Sequence, residues 1–261
     1  MSIRGVAAVT ARQRLGVLGG MGPQATAVFM ERVIARTAAK QDQEHIDMIV
    51  LNHASLPDRT DAITSGDHVA FIEAVRKDLE LLELAGTANI AIPCNTSHFF
   101  YEQMQRLTSV PIIHMVNETV QEVSKSGDPV SRVGLLATDG TIKSGVYAES
   151  CERYGLEYVI PAQSLQRKVS QIIYEQVKRD GNLNAVELIK VVQQMRETYR
   201  CDRIILACTE LSCIPLPLQI RSYVIDAMDV LVERAIERSG GAYLAKGNFR
   251  ERIKAYEAGI I

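Results

Sequence analysis

The chain has 261 residues, 47% of them hydrophobic, 23% charged and 5% aromatic, and its 29 Lys and Arg against 31 Asp and Glu give a formal charge of −2. This length builds one large domain or two small ones whose core needs no disulfide or metal staple, and the near-balanced charge excludes bulk attraction to nucleic acid or an anionic membrane. No apolar run reaches the roughly 18 residues of a membrane span, Met1 to Arg14 lacks the apolar core of a signal peptide, and five widely spaced cysteines fit a reducing cytoplasm better than a disulfide framework.

In chain order, Leu15–Gly19 reads as a buried strand, Pro23–Ala39 as a helix and Ile46–Asn52 as a second strand. Ile72, Val75, Leu79 and Leu82 then recur at the spacing of one helix face, with Gly86 placed to end that helix. Asn89–Pro93, Val110–Ile113, Val133–Ala137, Glu157–Pro161, Arg203–Ala207 and Tyr223–Asp226 are further strand candidates, and helical segments separate most of them. The rhythm is that of an α/β protein with mostly parallel sheets covered by helices on both faces. An internal echo divides the chain. Gly16–Gly20 (GVLGG) returns as Gly134–Thr138 (GLLAT), and Ile92–Thr96 (IPCNT) returns as Leu206–Glu210 (LACTE), at nearly the same separation. Two similar α/β halves are expected, with Lys125–Ser131 as the nearest thing to a junction.

Three constellations carry chemistry. Gly19–Pro23 (GGMGP) follows the first strand, where glycines permit unusual backbone conformations and Pro23 suits a first helical turn. Such a turn points N–H groups at an anion, so a carboxylate-binding loop, a loose dinucleotide fingerprint and a plain tight turn all remain open. The fingerprint lacks an acid at the end of the second strand, which closes on Asn52. Pro93–His98 (PCNTSH) puts Cys94 at the carboxyl end of a strand, the edge where open α/β sheets bind ligands, beside a helix start that lowers a thiol pKa. Asn95, Thr96 and Ser97 are short polar groups able to cap that helix or bind a small anion. Cys208-Thr209-Glu210 repeats this setting after Ile204–Ala207. Cys151, Cys201 and Cys213 have no such setting and read as structural. A metal site on Cys94, His98 and Cys208 lacks a four-ligand shell, and a Cys-His-Asn hydrolase has only His98 to offer as base.

Two matched cysteines suit one problem well. A racemase must remove a proton from one face of a carbon and return one to the other, which calls for two positioned acid–base groups. Because an α-hydrogen is weakly acidic, such a site must also supply electrostatics and exclude water.

The ordered motifs LGVLGGMGP (Leu15–Pro23), DQEH (Asp42–His45), LPDRT (Leu56–Thr60), PCNTSH, GLLAT-x-GT (Gly134–Thr141), IIYEQVK (Ile172–Lys178) and CTEL (Cys208–Leu211) span Leu15 to about Arg238. In them the chain resembles the PLP-independent aspartate/glutamate racemases, nearest the aspartate branch. The resemblance implies a cofactor-free two-base mechanism, an acidic amino acid as small-molecule substrate, a homodimer, and two α/β domains with the site in the cleft between them. It implies a discontinuous first domain, 14–114 plus 223–240, a second at 115–222, and terminal extensions at 1–13 and 241–261. It implies Cys94 and Cys208 as the catalytic pair and Arg59 and Lys178 as cations for a dicarboxylic substrate. Met21, Asn95, Thr96, Thr138 and Thr209 match positions that line the substrate or hold its α-carboxylate. Glu210 follows the second cysteine, where it could engage the ammonium group or orient the thiol. Ala207, where the family commonly has Gly, and Asp139, where a neutral residue is common, put substrate preference in question. A cis–trans isomerase or decarboxylase of small dicarboxylates, and a two-lobed amino-acid binding protein, are the alternative readings.

Overall fold

The computed structural model describes residues 12–125 and 130–244; most of the expected terminal extensions and most of the Lys125–Ser131 junction lie outside the described residues. The first half runs β1 (Leu15–Gly19), α1 (Pro23–Arg36), β2 (Met48–Asn52), α2 (Arg59–Ser65), α3 (Val69–Leu84), β3 (Asn89–Ala91), a 3₁₀ turn Thr96–Phe100, α4 (Tyr101–Gln105) and α5 (Met115–Ser124). The second runs β4 (Arg132–Ala137), α6 (Asp139–Ser144), α7 (Val146–Arg153), β5 (Glu157–Val159), α8 (Gln163–Gln171), a π-helical continuation Ile172–Arg179, α9 (Val186–Glu197), β6 (Arg203–Ala207), α10 (Thr209–Cys213), α11 (Leu218–Arg221), β7 (Val224–Asp226) and α12 (Ala227–Arg238).

All pairings between these strands are parallel, in two sheets ordered β2-β1-β3 and β5-β4-β6-β7. The echo in the sequence is therefore an echo in topology. GVLGG and GLLAT mark β1 and β4, each flanked on both sides by a parallel strand, and each cysteine follows the corresponding neighbour, β3 or β6. The halves differ at one edge. Val110–Ile113, read from sequence as a strand, makes only a single parallel bridge from Ile112 to Ile90. Pro111 sits in its middle without an N–H, so the ladder that β7 builds on β6 cannot grow there. Helix α1 stops at Arg36, short of the expected Ala39, because Thr37 bridges Tyr243 in an antiparallel contact.

Side chains alternate across each strand and feed a cluster on either face. Leu15 and Val17 pack with α1 and α12, while Leu18, Ile90 and Ile92 pack with α3 and α4. Leu136, Ile204 and Leu206 pack with α8, the π-helical stretch and α9, while Val133, Leu135 and Ile205 pack with α5 and α7. The closing helices trade places. Val116, Val120 and Val123 of α5 lie under the second sheet, and Met228, Leu231, Val232 and Ala235 of α12 lie under the first. The return to the first sheet was expected near Tyr223. Val224–Asp226 is a strand of the second sheet, and α12 directly after it packs against the first.

Candidate active site

Both sheets aim their carboxyl edges at one chamber of about 310 Å³, lined by Met21, Asp58, Arg59, Thr60, Cys94, Asn95, Thr96, Thr138, Tyr174, Lys178, Cys208, Thr209 and Glu210. All ten residues singled out from the sequence line it. Asp58, Thr60 and Tyr174 line it too and were not singled out, although each lies inside a quoted motif. Asp58 and Thr60 flank Arg59, and Tyr174 stands one helical turn before Lys178. A second cavity of about 790 Å³ shares Asp58, Arg59, Lys178 and Glu210 with the chamber and continues past Gly20, Gly22 and Pro23.

The first cysteine is fixed through its backbone. The Cys94 carbonyl accepts from Ser97 Oγ at 2.8 Å and pairs with His98 Nδ1 at 2.8 Å. The Met115 N–H donates to His98 Nε2 at 3.1 Å, so Nδ1 carries the proton and donates to Cys94. Burial pushes the His98 pKa down, against the opposing pull of those carbonyls, and keeps the ring neutral. Both ring nitrogens are thus occupied by backbone, which removes His98 as a general base or metal ligand. Among the described residues no group of three His, Cys, Asp or Glu is placed to hold a metal ion.

The short polar residues after Cys94 do not cap the following helix by side chain, as sequence suggested. Asn95 and Thr96 reach the other half instead. Thr96, Thr138 and Thr141 form a closed triangle of hydroxyls at 3.1, 2.8 and 3.0 Å, and the Tyr147 hydroxyl donates to Asn95 Oδ1 at 2.6 Å. These contacts hold the two strand-end loops together at the chamber.

The second cysteine is governed by charge. Cys208 Sγ donates to Glu210 Oε2 at 2.9 Å, and Glu210 Oε1 pairs with Lys178 Nζ at 3.5 Å. Burial, then Glu210, pushes the Cys208 thiol up, with Lys178 pulling the other way. The lowering expected from a helix start is overruled here: α10 is a five-residue helix, and a carboxylate in contact outweighs its dipole. Burial disfavours the Lys178 charge, but Glu210 and both cysteines more than compensate and its pKa is raised. Gly22 makes room for Glu210, since a Cβ there would come within 2.9 Å of Oε1.

Arg59 is buried, spends one guanidinium N–H on the Pro57 carbonyl at 3.1 Å, and leaves its Nε without a partner. Asn95 Nδ2 is likewise buried without a partner. Buried donors are rarely left unpaired; two on one chamber wall suit an oxygen-rich anion. The Gly19–Pro23 turn itself is tight rather than open: Gly20 takes φ +93 against the His53 backbone, and its N–H is spent on Thr26 Oγ1 at 2.9 Å. The two departures from the family pattern leave the lining untouched. The Asp139 carboxylate accepts from Gln166 at 3.0 Å on α8, and Ala207 packs into the core beside Val133 and Tyr147.

The π-helical stretch explains how Lys178 arrives. Leu165, Val169, Ile173 and Val177 are buried at a strict spacing of four, which an α-helix cannot hold on one face for long. Widening the turn, with Asp180 N–H bonding Glu175 O five residues back, keeps that row in the core. Tyr174 and Lys178, one position further on, then run along the chamber. Such wide turns concentrate at functional sites.

Parallel sheets closing on a small, charged, largely buried chamber at the carboxyl edges of their strands define a class, the α/β proteins with a small-molecule site at that edge. Residues 18–235 match the model of the Asp/Glu/Hydantoin racemase family, and the chain belongs to that family. It is 30% identical over 226 residues to the broad specificity amino-acid racemase RacX of Bacillus subtilis, covering 85% of this chain and 96% of that one. Its fold is similar to that of the Picrophilus torridus aspartate racemase, with TM-score 0.76 and 27% identity over 91% of this chain and 98% of that one. An aspartate racemase homologue from Pyrococcus horikoshii gives TM-score 0.71 and 25% identity over 87% of this chain and 99% of its own. Among the described residues no helix is long and apolar enough to cross a membrane.

Proposed function

We propose that the protein interconverts L- and D-aspartate, and glutamate more weakly, by a two-base reaction at Cys94 and Cys208. The observation that carries this reading is that two cysteines from matching places of two sheets line one chamber, each only 5% exposed. In one direction the Cys94 thiolate takes the α-proton and the Cys208 S–H gives a proton to the opposite face. In the other direction the roles exchange: the Cys208 thiolate takes the α-proton and the Cys94 S–H gives a proton to the opposite face. Exclusion of water strengthens the fixed charges that stabilise the carbanion. The unpaired Arg59 Nε and Asn95 Nδ2 are donors for carboxylate oxygens, and Arg59 with Lys178 is the seat for the side-chain carboxylate. The reading includes a homodimer, and two folding units of 14–114 with the returning α12 and 115–226. The test is incubation of the purified protein with L-aspartate in D2O. α-Deuteration with racemisation is expected; release of CO2, or no exchange with any acidic amino acid, overturns the reading. Light scattering that returns a 28.9 kDa particle overturns the dimer.

One observation favours a second reading. Lys178 is already paired with Glu210, so the chamber's charge is partly satisfied without a dicarboxylate, as suits an enzyme of broad specificity like the Bacillus subtilis relative. Alanine or serine exchanging as fast as aspartate would establish it.

A further inference from the structure

Tyr174 is the one aromatic side chain on the chamber wall among the described residues. The Lys178 ammonium lies 5.2 Å from the centre of its ring, within range of a cation–π attraction. A lysine on a flexible four-carbon stem does not hold its charge in one place unaided. Glu210 draws it toward Cys208, and the ring of Tyr174 is the surface it rests on.

We propose that Tyr174 is a positioning residue: its ring holds the Lys178 ammonium at the wall of the chamber that Arg59 also lines. The two cations then present a fixed seat to the side-chain carboxylate of the substrate. This rests on the dicarboxylic-substrate reading above. It assigns Tyr174 to specificity and leaves proton transfer to the cysteines.

The experiment compares Tyr174→Leu, which removes ring and hydroxyl, with Tyr174→Phe, which keeps the ring. For Tyr174→Leu we expect an aspartate KM raised about 3- to 30-fold with kcat little changed, and no change in exchange on a neutral amino acid. Tyr174→Phe should stay within about threefold of wild type. A second readout needs no turnover. Trace acylation of amines between pH 8 and 10, mapped by peptide mass spectrometry, should label Lys178 about threefold faster or more in Tyr174→Leu, and at the wild-type rate in Tyr174→Phe. Loss of kcat on acidic and neutral amino acids alike, with Lys178 labelling unchanged, marks a merely structural tyrosine and overturns the proposal. If the wild type racemises no amino acid, the racemase reading falls and the labelling alone decides: an unchanged Lys178 rate in Tyr174→Leu then overturns the inference.

Discussion

Cys208 Sγ donates a hydrogen bond of 2.9 Å to Glu210 Oε2, two residues along the chain, on the wall of the chamber. With burial acting in the same direction, this contact keeps the thiol protonated above the ordinary range. Glu210→Gln removes the negative charge and frees Lys178 to act on the sulfur alone. The Cys208 pKa should fall, and the pH profile of its alkylation should move to lower pH. A profile that stays in place or moves up would show that Glu210 does not set the thiol's ionisation.

The paired cysteines should be needed separately. Cys94→Ala and Cys208→Ala each remove one of two required proton transfers, so each should lower racemisation by about 10²- to 10⁴-fold or more. The measurement is the rate of optical inversion of each enantiomer. Either variant turning over at near wild-type rate would end the two-cysteine mechanism.

The cations should decide substrate choice. Arg59→Ala and Lys178→Ala should damage aspartate turnover far more than exchange on a neutral amino acid, because a carboxylate then enters without its partner. Truncating a buried charge pair costs roughly 2–5 kcal/mol, about 30- to several-thousand-fold in kcat/KM. Glutamate differs by a methylene, worth only about 1–3 kcal/mol. A panel of L-amino acids scored by α-deuterium exchange checks this, and equal losses on alanine and aspartate would contradict it.

Gly22 should prove a residue of the site rather than of the fold. Its φ of −104 is open to any residue, so Gly22→Ala keeps the backbone, yet the new methyl meets Glu210 Oε1. The carboxylate must move from Lys178 and Cys208. We expect kcat/KM to drop about tenfold with the melting temperature nearly unchanged. Wild-type kinetics in Gly22→Ala would show that the Glu210 position is unimportant.

Acid should loosen the protein through two histidines at the join of the halves. Burial pushes His98 down and His114 down to about 3. His114 Nδ1 also accepts the Asn117 N–H at the start of α5, a bond a protonated ring cannot accept. A folded pKa below the unfolded value of 6.5 means the unfolded chain binds more protons in between. Stability is therefore complete above pH 6.5 and is lost as pH falls toward the folded pKa, at up to about 1.4 kcal/mol per pH unit for each group. Urea midpoints from pH 7.5 to 5 should show the decline, and His114→Gln should shallow it. An identical slope in the variant would exclude His114 as a source.

The strands, their parallel class and the two-fold echo were legible in the sequence because short apolar runs and strand-end cysteines are local signals. So were ten of the thirteen residues that line the chamber, although Arg59 and Lys178 stood out only through motif resemblance, since a single charge has no periodicity of its own. What sequence could not say is where side chains go once the halves meet. That Thr96 joins Thr138 and Thr141, that Asn95 accepts from Tyr147, and that His98 is spent on backbone are contacts between distant segments. That Val110–Ile113 stays a single bridge while Val224–Asp226 becomes a strand depended on what each could pair with. The cysteines were fixed by local chemistry, but their environment was decided by tertiary structure, because burial and a carboxylate at 2.9 Å reverse the ionisation that a helix start alone would favour at Cys208.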